Sequence, residues 1–366
     1  MTGTVGCDSE LTHRFGQVIE IRDWHDLDGV RDHLGGSFIL MNDLDATTVG
    51  YQELASETAN EAEGWQPIGG SEERFAGVFD GQGYEIRGIF INRPAENFAG
   101  LFGAVDVAGV IRNVGVDAIV SGEWSVGGLC GANWGTVSNC YSTGSVSGDD
   151  YVGGLVGGNA DSVSDSYSTA SVIGHWDVGG LVGANDSWGT VSDSYATGSV
   201  NGRWSVGGLL GGNWGGSVSR CWSGGSVSGD DYVGGLVGDN QGAVINAYAT
   251  GSVTGEWHVG GLVGYNEGSI SSTYSTGRVT GSIWVGGLVG DNREGAVRDS
   301  FWDKDSSDIE GSDGGTGMTT MEMQAIVTFT VAAWDIAAVP SGHANDTYTW
   351  NMVGGETYPF LSWESV

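Results

Sequence analysis

The chain has 366 residues and a formal charge of −33, and 68 of its residues are Gly while only 4 are Pro. This charge makes nucleic acid and anionic membrane surfaces poor partners, and 15 Trp with 39% hydrophobic residues exclude a disordered chain. Lys304 is the only lysine among 13 basic residues, which is typical of a protein from a salt-loving organism, although an acidic secreted protein from ordinary salt remains the alternative.

The N-terminal residues predict a cap followed by strands. Residues 1–35 contain TGTVGC at 2–7, which resembles the end of a lipoprotein signal without the hydrophobic stretch that such a signal needs, and they contain a short helix over 24–33. SFILMNDLD and FAGVFDGQGYEIRGIFI then predict the first coils of a repeat fold. No apolar run approaches the length of a membrane span. The four cysteines form no CxxC pair, so no disulfide scaffold is expected.

A glycine-rich octet recurs through the middle of the chain. VGGLVGDN occurs twice, five close variants complete seven copies, and FAGLFGAV at 98–105 is a degenerate earlier copy. A fixed period of this size indicates a solenoid, a propeller or an array. The spacing varies only between the Asn of the octet and the next β-branched residue, as expected if stacked strands keep their register while one corner bulges. The octets begin 26 to 28 residues apart, at Val126, Val152, Val178, Val206, Val233, Val259 and Val285.

The segments of each repeat predict strands rather than helices, because they are short, β-branched or aromatic, and broken by Gly, Asn and Ser. We therefore expect an all-β fold, a right-handed parallel β-helix (β-solenoid) with three short strands in each coil of about 26 residues and about eight to ten coils. A propeller blade would need four strands and about 40 residues. The β-helix is expected over 36–300, with regular repeats over 98–300. Residues 301–366 lose the period and predict an irregular C-terminal cap.

Stacking at about 4.8 Å brings equivalent residues into columns. The octet valines and the column that starts at Val146 are expected to fill the core. Aromatic rings from Tyr141 to Phe301 are expected to stack. An asparagine ladder is expected at a corner, where Asn tolerates left-handed backbone and its amides bond to the coils above and below. The ladder consists of Asn133, Asn159, Asn185, Asn213, Asn240, Asn266 and Asn292.

A second set of aromatic residues precedes the octets, and these residues are the candidate ligand-binding residues. Their polar neighbours (EWS, HWD, RWS, EWH) predict surface positions, where a line of rings could stack on sugars. The alternative is that the rings stack on one another and cover a corner. The set consists of Trp124, Tyr151, Trp176, Trp204, Tyr232, Trp257 and Trp284.

The octets, together with the flanking FDGQGYEIRGIFINRP, GLFG and FWD…GGTGMTTMEMQ…WDI…YPFLSW, resemble the GLUG-repeat family over roughly residues 20–366. The resemblance implies a pectate-lyase-like β-helix in a secreted or surface-anchored protein of bacteria or archaea, and it implies little about chemistry. Some GLUG repeats accompany immunoglobulin-cleaving metallopeptidases. This chain has no HExxH, so the peptidase activity does not carry over.

The sequence contains no convincing catalytic constellation, and no catalytic residue is assigned. His175 and His258 are interpreted as solvated turn residues. The GDDY turns at 148–151 and 229–232 offer paired carboxylates, but they recur identically three coils apart, whereas a catalytic site should break the repetition. Whether the chain is an enzyme is left open, with no catalysis as the favoured interpretation.

One acidic segment makes Ca²⁺ a candidate cofactor, and no other cofactor is expected. DKDSSDIEGSD carries Asp303, Asp305 and Asp308 at close spacing, without the glycine at the sixth position and the glutamate at the twelfth of an EF-hand loop. The alternative is an acidic solvated loop.

The function expected from these observations is a non-catalytic extracellular repeat module of a cell-surface or secreted protein. It would act as an adhesin or stalk, with polysaccharide or a cell-surface glycan as candidate partner. The alternatives are a polysaccharide-degrading enzyme, a lyase or a glycoside hydrolase, with its site near 60–100 or 301–320, and a purely structural spacer. The sequence does not indicate an oligomeric state.

Overall fold

The computed structural model describes residues 18–364, so the lipoprotein-like residues 2–7 lie outside the described range. The chain forms an all-β parallel solenoid of about eight turns with coils of about 26 residues, which confirms the expected fold class. Four sheets wrap one continuous core, and within them every strand pairs in parallel with the equivalent strands of neighbouring coils. The right-handed sense stays a prediction.

Two of the sheets meet within each octet. Sheet 3 holds the first half of the octet, and sheet 4 holds the second half. The strands of sheet 3 are Trp124–Gly127, Asp150–Gly153, Trp176–Gly179, Trp204–Gly207, Asp231–Gly234, Trp257–Gly260 and Ile283–Gly286. The strands of sheet 4 are Phe102–Val105, Cys130–Asn133, Val156–Asn159, Val182–Asn185, Leu210–Asn213, Val237–Asn240, Val263–Asn266 and Val289–Asn292.

The other two sheets complete the coil. Sheet 1 consists of Val18–Ile21, Ser37–Leu40, Val78–Asp80, Val110–Arg112, Thr136–Ser138, Ser162–Ser164, Thr190–Ser192, Ser217–Ser219, Ala243–Ile245, Ser269–Ser271 and Ala296–Arg298. Sheet 2 begins with three long strands, Glu85–Asn92, Gly115–Ser121 and Tyr141–Ser147. It continues as two rows, Tyr167–Ser168, Tyr195–Ala196, Trp222–Ser223, Tyr248–Ala249, Tyr274–Ser275, Phe301–Asp303 and Thr316–Met318, and Ser171–Ile173, Val200–Asn201, Val227–Ser228, Val253–Thr254 and Val279–Thr280.

The regular coils contain more strands than the three predicted. The coil from Asp150 to Ile173 has five, because the octet splits at its central Gly-Leu pair and sheet 2 splits in two. The glycines permit this sharp folding of the octet. A Cβ on Gly211, the sixth octet residue, would lie 2.3 Å from the backbone nitrogen of Val178 in the preceding coil. Sheets 3 and 4 are therefore in close contact, and glycine is required where they meet.

The core columns are those expected from the spacing. The octet valines are paired in register, for example Val126 with Val152 and Val152 with Val178, and these three are fully buried. Val146 pairs likewise with Val172. Cys130, Cys140 and Cys221 are buried free thiols.

The asparagine ladder is present with its predicted amide bonds. Each side-chain nitrogen donates to the side-chain oxygen of the next asparagine at 2.7–2.9 Å, from Asn133 through to Asn292. The expected left-handed backbone of the ladder residues is wrong, because none of them has a positive φ. Left-handed residues instead follow the strands of sheet 1, where Asn139 and Asp165 have φ of 51° and 50°.

The ends of the solenoid carry short helices. The predicted N-terminal helix is an α-helix, Trp24–Asp28, followed by a 3₁₀ helix, Gly29–His33, and strand Val18–Ile21 of sheet 1 precedes both. The remaining helical segments are Tyr51–Leu54, Asn60–Ala62, Lys304–Ser307, Thr320–Met323 and Ile326–Val331. No helix of residues 18–364 combines the length and the apolar character that a membrane span requires.

The C-terminal cap folds back along the predicted aromatic stack. Tyr141, Tyr167, Tyr195 and Trp222 stack in parallel with centroids 4.7–4.8 Å apart. The small sheet 5 of the cap, Ile336–Ala338, Trp350–Met352 and Phe360–Leu361, packs beside the last coils, where the Trp350 ring lies 6.1 Å from Tyr248 and 6.0 Å from Tyr274. From it the chain returns along the stack, where the Trp363 Nε1 donates to the Arg220 carbonyl at 3.2 Å, and Tyr248 Oη donates to Glu364 at 2.7 Å.

Candidate ligand-binding crevice between sheets 3 and 4

The aromatic residues before the octets occupy two register positions rather than one column. Trp124, Trp176 and Trp204 lie two residues before the octet valine, and their register partners include Asp150 and Asp231. Trp257 shares this position, whereas Tyr151, Tyr232 and Trp284 lie directly before the valine. A continuous line of seven stacked rings is therefore not formed.

Exposure differs along this set. Trp176 and Trp204 stack in parallel at 5.2 Å, and Trp176 is 50% exposed. Since Asp150 is its partner on the other side, only one face of Trp176 is covered by another ring. Trp257 and Trp284 are also exposed and pack at 5.7 Å with tilted rings. The stacked alternative thus describes part of the set, and open ring surface remains at Trp176.

The residues directly before the octets line a crevice. They all have left-handed backbone, with φ between 46° and 61°. Each lies against the seventh octet residue of the following coil, because sheets 3 and 4 approach each other there. We call the two columns together the octet crevice. It consists of Ser125, Tyr151, Asp177, Ser205, Tyr232, His258 and Trp284, and of Ala132, Gly158, Ala184, Gly212, Asp239, Tyr265 and Asp291.

In two coils with large side chains at both positions, the residue directly before the octet contacts the seventh octet residue of the next coil. Tyr232 stacks on Tyr265 with centroids 4.8 Å apart. His258 Nε2 lies 3.4 Å from Asp291 Oδ2. The crevice residues vary from coil to coil while the core residues do not, so the constant scaffold presents a changing set of side chains along one surface. This is the arrangement in which repeat proteins place a binding surface.

The N-terminal half of the crevice is open. Ala132, Gly158 and Ala184 leave a small cavity of about 50 Å³ walled by Trp124, Trp134 and Tyr151 and edged by Asp186, Asn133 and Phe98. This cavity is much smaller than the roughly 300–1,000 Å³ of enclosed small-ligand sites, so it offers a shallow recess with apolar aromatic walls and a few polar groups.

The C-terminal half of the crevice is filled by its own side chains. Tyr265 covers Tyr232, and the His258 ring stacks on Trp284 at 4.4 Å. His258 is only 7% exposed, which corrects its interpretation as a solvated turn residue. Its Nδ1 lies 2.5 Å from Asp231, so that the imidazole links a carboxylate of the preceding coil to one of the following coil. His175, by contrast, is exposed and paired with Asp149, as expected for a surface turn.

Two buried carboxyl groups lie between these halves. Burial raises the pKa of Asp177 to about 8, and the charge of Asp239 adds to the effect. Burial likewise raises the pKa of Asp239 to about 7, with a further contribution from the charge of Glu267. Groups with such pKa values at one place are common in functional sites. Neither residue is among the candidates predicted from the sequence, although Asp239 is the first acidic residue at the seventh octet position.

The three candidate calcium ligands make hydrogen bonds and an ion pair at the start of the C-terminal cap. Asp303 is fully buried, where it caps helix Lys304–Ser307 and accepts hydrogen bonds from Tyr358 and Thr320. Asp305 accepts from the Thr320 backbone, and Asp308 faces Arg278 at 3.4 Å. In the described range no group of three acidic, His or Cys residues is placed to hold a metal. Calcium binding stays a prediction.

Comparison with known proteins supports the repeat assignment. The family model of the GLUG motif matches residues 122–147, 148–173, 174–201, 229–254 and 255–280. A protein of Evansella cellulosilytica provisionally named as a Gly-rich membrane protein is 37% identical over 119 residues, which is 31% of this chain. Halomucin of Haloquadratum walsbyi is 31% identical over 133 residues, which is 35% of this chain. The matched segments make up only 13% and 1% of those relatives.

A solved structure shares the fold. The crystal structure of a provisionally named immunoglobulin A1 protease from Bacteroides ovatus superposes with a TM-score of 0.53 over 94% of this chain and 92% of that chain, at 17% sequence identity. At this identity the likeness concerns the fold alone. The five motif matches and the related repeat segments show that the chain contains GLUG repeats between residues 122 and 280, and these repeats form part of the parallel β-solenoid.

Proposed function

We propose that this chain is a non-catalytic extracellular module, an adhesin or stalk of a cell-surface or secreted protein, and that its octet crevice contacts carbohydrate. The observation that carries the proposal is the open half of the crevice, where Trp124, Trp134 and Tyr151 wall a pocket on an otherwise regular solenoid. Aromatic side chains with polar groups beside them suit sugar rings, which are apolar on their faces and hydroxylated at their edges.

The net charge of the chain narrows the class of polysaccharide that it can bind. At −33 it repels anionic polymers, so that neutral polysaccharides are the better candidates. A surface location is supported by the relatives, one named a membrane protein and one a halomucin. The scarcity of lysine agrees with a protein that functions at high salt concentration, where the charges of the acidic surface are screened.

A sizing column tests the proposal. The protein is incubated in high salt with neutral and acidic polysaccharides, and each mixture is separated. Intact neutral polymer that co-elutes with protein is the expected result. Exchange of both Trp124 and Trp134 for Ala should weaken that association at least about tenfold, by loss of two ring contacts. Tyr348→Ala, an exposed aromatic of the cap, is the matched control. Polymer that elutes alone would favour the structural spacer.

A polysaccharide-degrading enzyme is the second candidate. Asp177 and Asp239 favour it, because carboxyl groups with raised pKa values can serve as general acids. Shortened polymer in the same experiment would support this alternative and overturn the non-catalytic proposal. Loss of the shortening in Asp177→Asn would then assign the acid.

A further inference from the structure

Two tryptophans of the C-terminal cap dock in the same way on the corner between sheets 1 and 2. The indole Nε1 of Trp334 donates to the carbonyl of Asp299 at 2.8 Å, and that of Trp363 donates to the carbonyl of Arg220 at 3.2 Å. Both acceptors have left-handed backbone directly after a strand of sheet 1, with φ of 48° and 52°. The rings pack against the aromatic stack, as Trp363 does on Tyr195 at 6.2 Å.

This corner is therefore a groove that accepts indole rings, and we call it the corner groove. It is formed by the aromatic stack and by the left-handed residues beside it, which are Asn139, Asp165, Asp193, Arg220, Asn246, Ser272 and Asp299.

Beyond the end of the cap, the corner groove is open in the described part of the chain. Asp165, Tyr167, Asp193 and Tyr195 line a recess of about 230 Å³ there, and Trp363 forms its end wall. The carbonyl oxygens of Asp165 and Asp193 accept no hydrogen bond from the backbone of residues 18–364. The recess therefore has the same surroundings as the sites that hold the cap tryptophans, together with room for a further ring.

An exposed tryptophan lies at the opposite edge of sheet 1. Trp188 is 86% exposed in the turn before strand Thr190–Ser192, and Asp193 of the recess directly follows the same strand. Trp188 and the recess thus lie at the two ends of one strand, at the same level along the solenoid. Covering the apolar surface of so exposed an indole is favourable.

The outer face of sheet 1 between these two edges carries no charge over six strands. On a chain with a net charge of −33, such a face is where two copies meet with the least repulsion. The face is also nearly untwisted, because successive rings of the adjoining stack from Tyr141 to Tyr274 are inclined by only 1–6°. The outward residues are Thr136, Ser138, Ser162, Ser164, Thr190, Ser192, Ser217, Ser219, Ala243, Ile245, Ser269 and Ser271.

We propose that two copies of this chain associate in parallel through sheet 1, with Trp188 of each copy in the recess of the other. A two-fold axis that runs along the solenoid between the two faces brings each edge of sheet 1 over the opposite edge of the second copy, at the same level. The inference goes beyond the proposed carbohydrate contact, which uses sheets 3 and 4.

The size of the contact agrees with a weak dimer. The chain from Trp188 to Asp193 spans about 20 Å and six stacked strands span about 29 Å, so the contact buries about 1,200 Å² in total. This area lies at the lower limit of specific interfaces. A Kd of about 10–100 μM is therefore expected.

Sedimentation equilibrium of the whole chain in high salt, over concentrations on both sides of this Kd, measures the association. Trp188→Ala should raise the Kd at least about tenfold, because it removes the anchoring ring. The side chain is exposed, so the variant should fold normally. Trp176→Ala, which removes a half-exposed indole from sheet 3, is the matched control and should leave the Kd within about twofold.

An added charge tests which face is used. Ser192→Asp on sheet 1 places like charges near each other across the two-fold axis, so it should raise the Kd at least about tenfold. Ser226→Asp makes the same change on the exposed outer side of sheet 2, beside strand Val227–Ser228, and should leave the Kd unchanged.

A double variant tests the recess itself. Tyr167→Ala removes part of the recess wall and should raise the Kd about as much as Trp188→Ala. The two changes together should raise it no further, because both remove the same contact. If Tyr167→Ala fails to fold, Asp165→Arg replaces it, since Arg220 shows that this left-handed position accepts arginine.

Three outcomes would overturn the inference. A chain that sediments as a monomer at every concentration does not form the dimer. A dimer with an unchanged Kd in Trp188→Ala is held together by another surface. Additive losses in the double variant would mean that Trp188 docks outside the recess. Each of these results leaves the proposed binding of polysaccharide by the octet crevice intact.

Discussion

Two coils of the solenoid begin with the same ten residues, GDDYVGGLVG, at 148–157 and 229–238. Their tyrosines have the same backbone, with φ of 53° at Tyr151 and 52° at Tyr232. Yet Tyr151 faces Ala184 across an open pocket, whereas Tyr232 is covered by Tyr265. One residue in the following octet thus decides whether the crevice is open. The scaffold and the binding surface are specified by different positions of the same repeat.

The largest effect is expected in the filled half. His258→Ala removes the shared partner of Asp231, which is partly buried, and of Asp291, which is buried and keeps its ion pair with Arg293, so the free energy of unfolding should fall by about 3 kcal/mol. His175→Ala, which removes an exposed pair in the other half, should change it by less than about 0.5 kcal/mol. Guanidinium unfolding at fixed high salt measures both. Equal losses would mean that the halves do not differ in packing.

The asparagine ladder should support both halves equally. Asn159→Ala and Asn240→Ala each remove one amide that accepts from the coil before and donates to the coil after, at 2.8 Å in all four bonds. Each should lower the unfolding free energy by about 2–3 kcal/mol, because buried partners are left unpaired. The same unfolding experiment checks this. Costs that differ by more than about 1 kcal/mol would show that the two coils do not share one scaffold.

The stability of the fold should depend on pH through Asp177, at the boundary between the two halves of the crevice. The pKa of Asp177, about 8, is higher than in the unfolded chain, so the folded state binds this proton more tightly. The resulting stability is present below about pH 4 and is lost as the pH rises through about 8. Asp177→Asn should therefore be more stable than wild type at pH 8, by about 2 kcal/mol, and similar near pH 4.

Thermal unfolding across this pH range is the measurement for Asp177. The exposed Asp161→Asn serves as the control variant. A wild-type stability that stays flat between pH 5 and 8 would contradict the burial of an ionisable Asp177 at this boundary.

The smallest changes in stability are expected from two substitutions that exchange the open and filled states of the crevice halves. Tyr265→Ala loses one ring stack and should lower the unfolding free energy by about 1–2 kcal/mol while it opens a second pocket. Ala184→Tyr should copy the Tyr232–Tyr265 stack onto Tyr151 with a change within about 0.5 kcal/mol. It should also weaken binding of the neutral polymer at least about tenfold. Binding that survives Ala184→Tyr would separate the pocket from the function.

The sequence predicts the columns well because the period fixes them. Val126 and its equivalents, and the amide bonds from Asn133 to Asn292, follow from spacing alone. The prediction of a single aromatic column is wrong, because Trp176 lies two residues before its octet valine and Tyr151 lies one residue before its own. This difference is visible in the sequence when residues are counted back from each octet. The crevice itself could not be predicted, since the contact of His258 with Asp291 depends on the left-handed backbone that folds sheet 3 onto sheet 4.

The cap that returns along the aromatic stack has a mechanical consequence for a stalk. Force applied at the C-terminal end of the described chain does not act first on the last coil, because Trp363 and Glu364 are attached to coils far upstream, at Arg220 and Tyr248. Those contacts must peel away before any coil unwinds. Tension would therefore release the cap as a first extension step, in which the tyrosine stack becomes uncovered while the solenoid and its crevice stay folded.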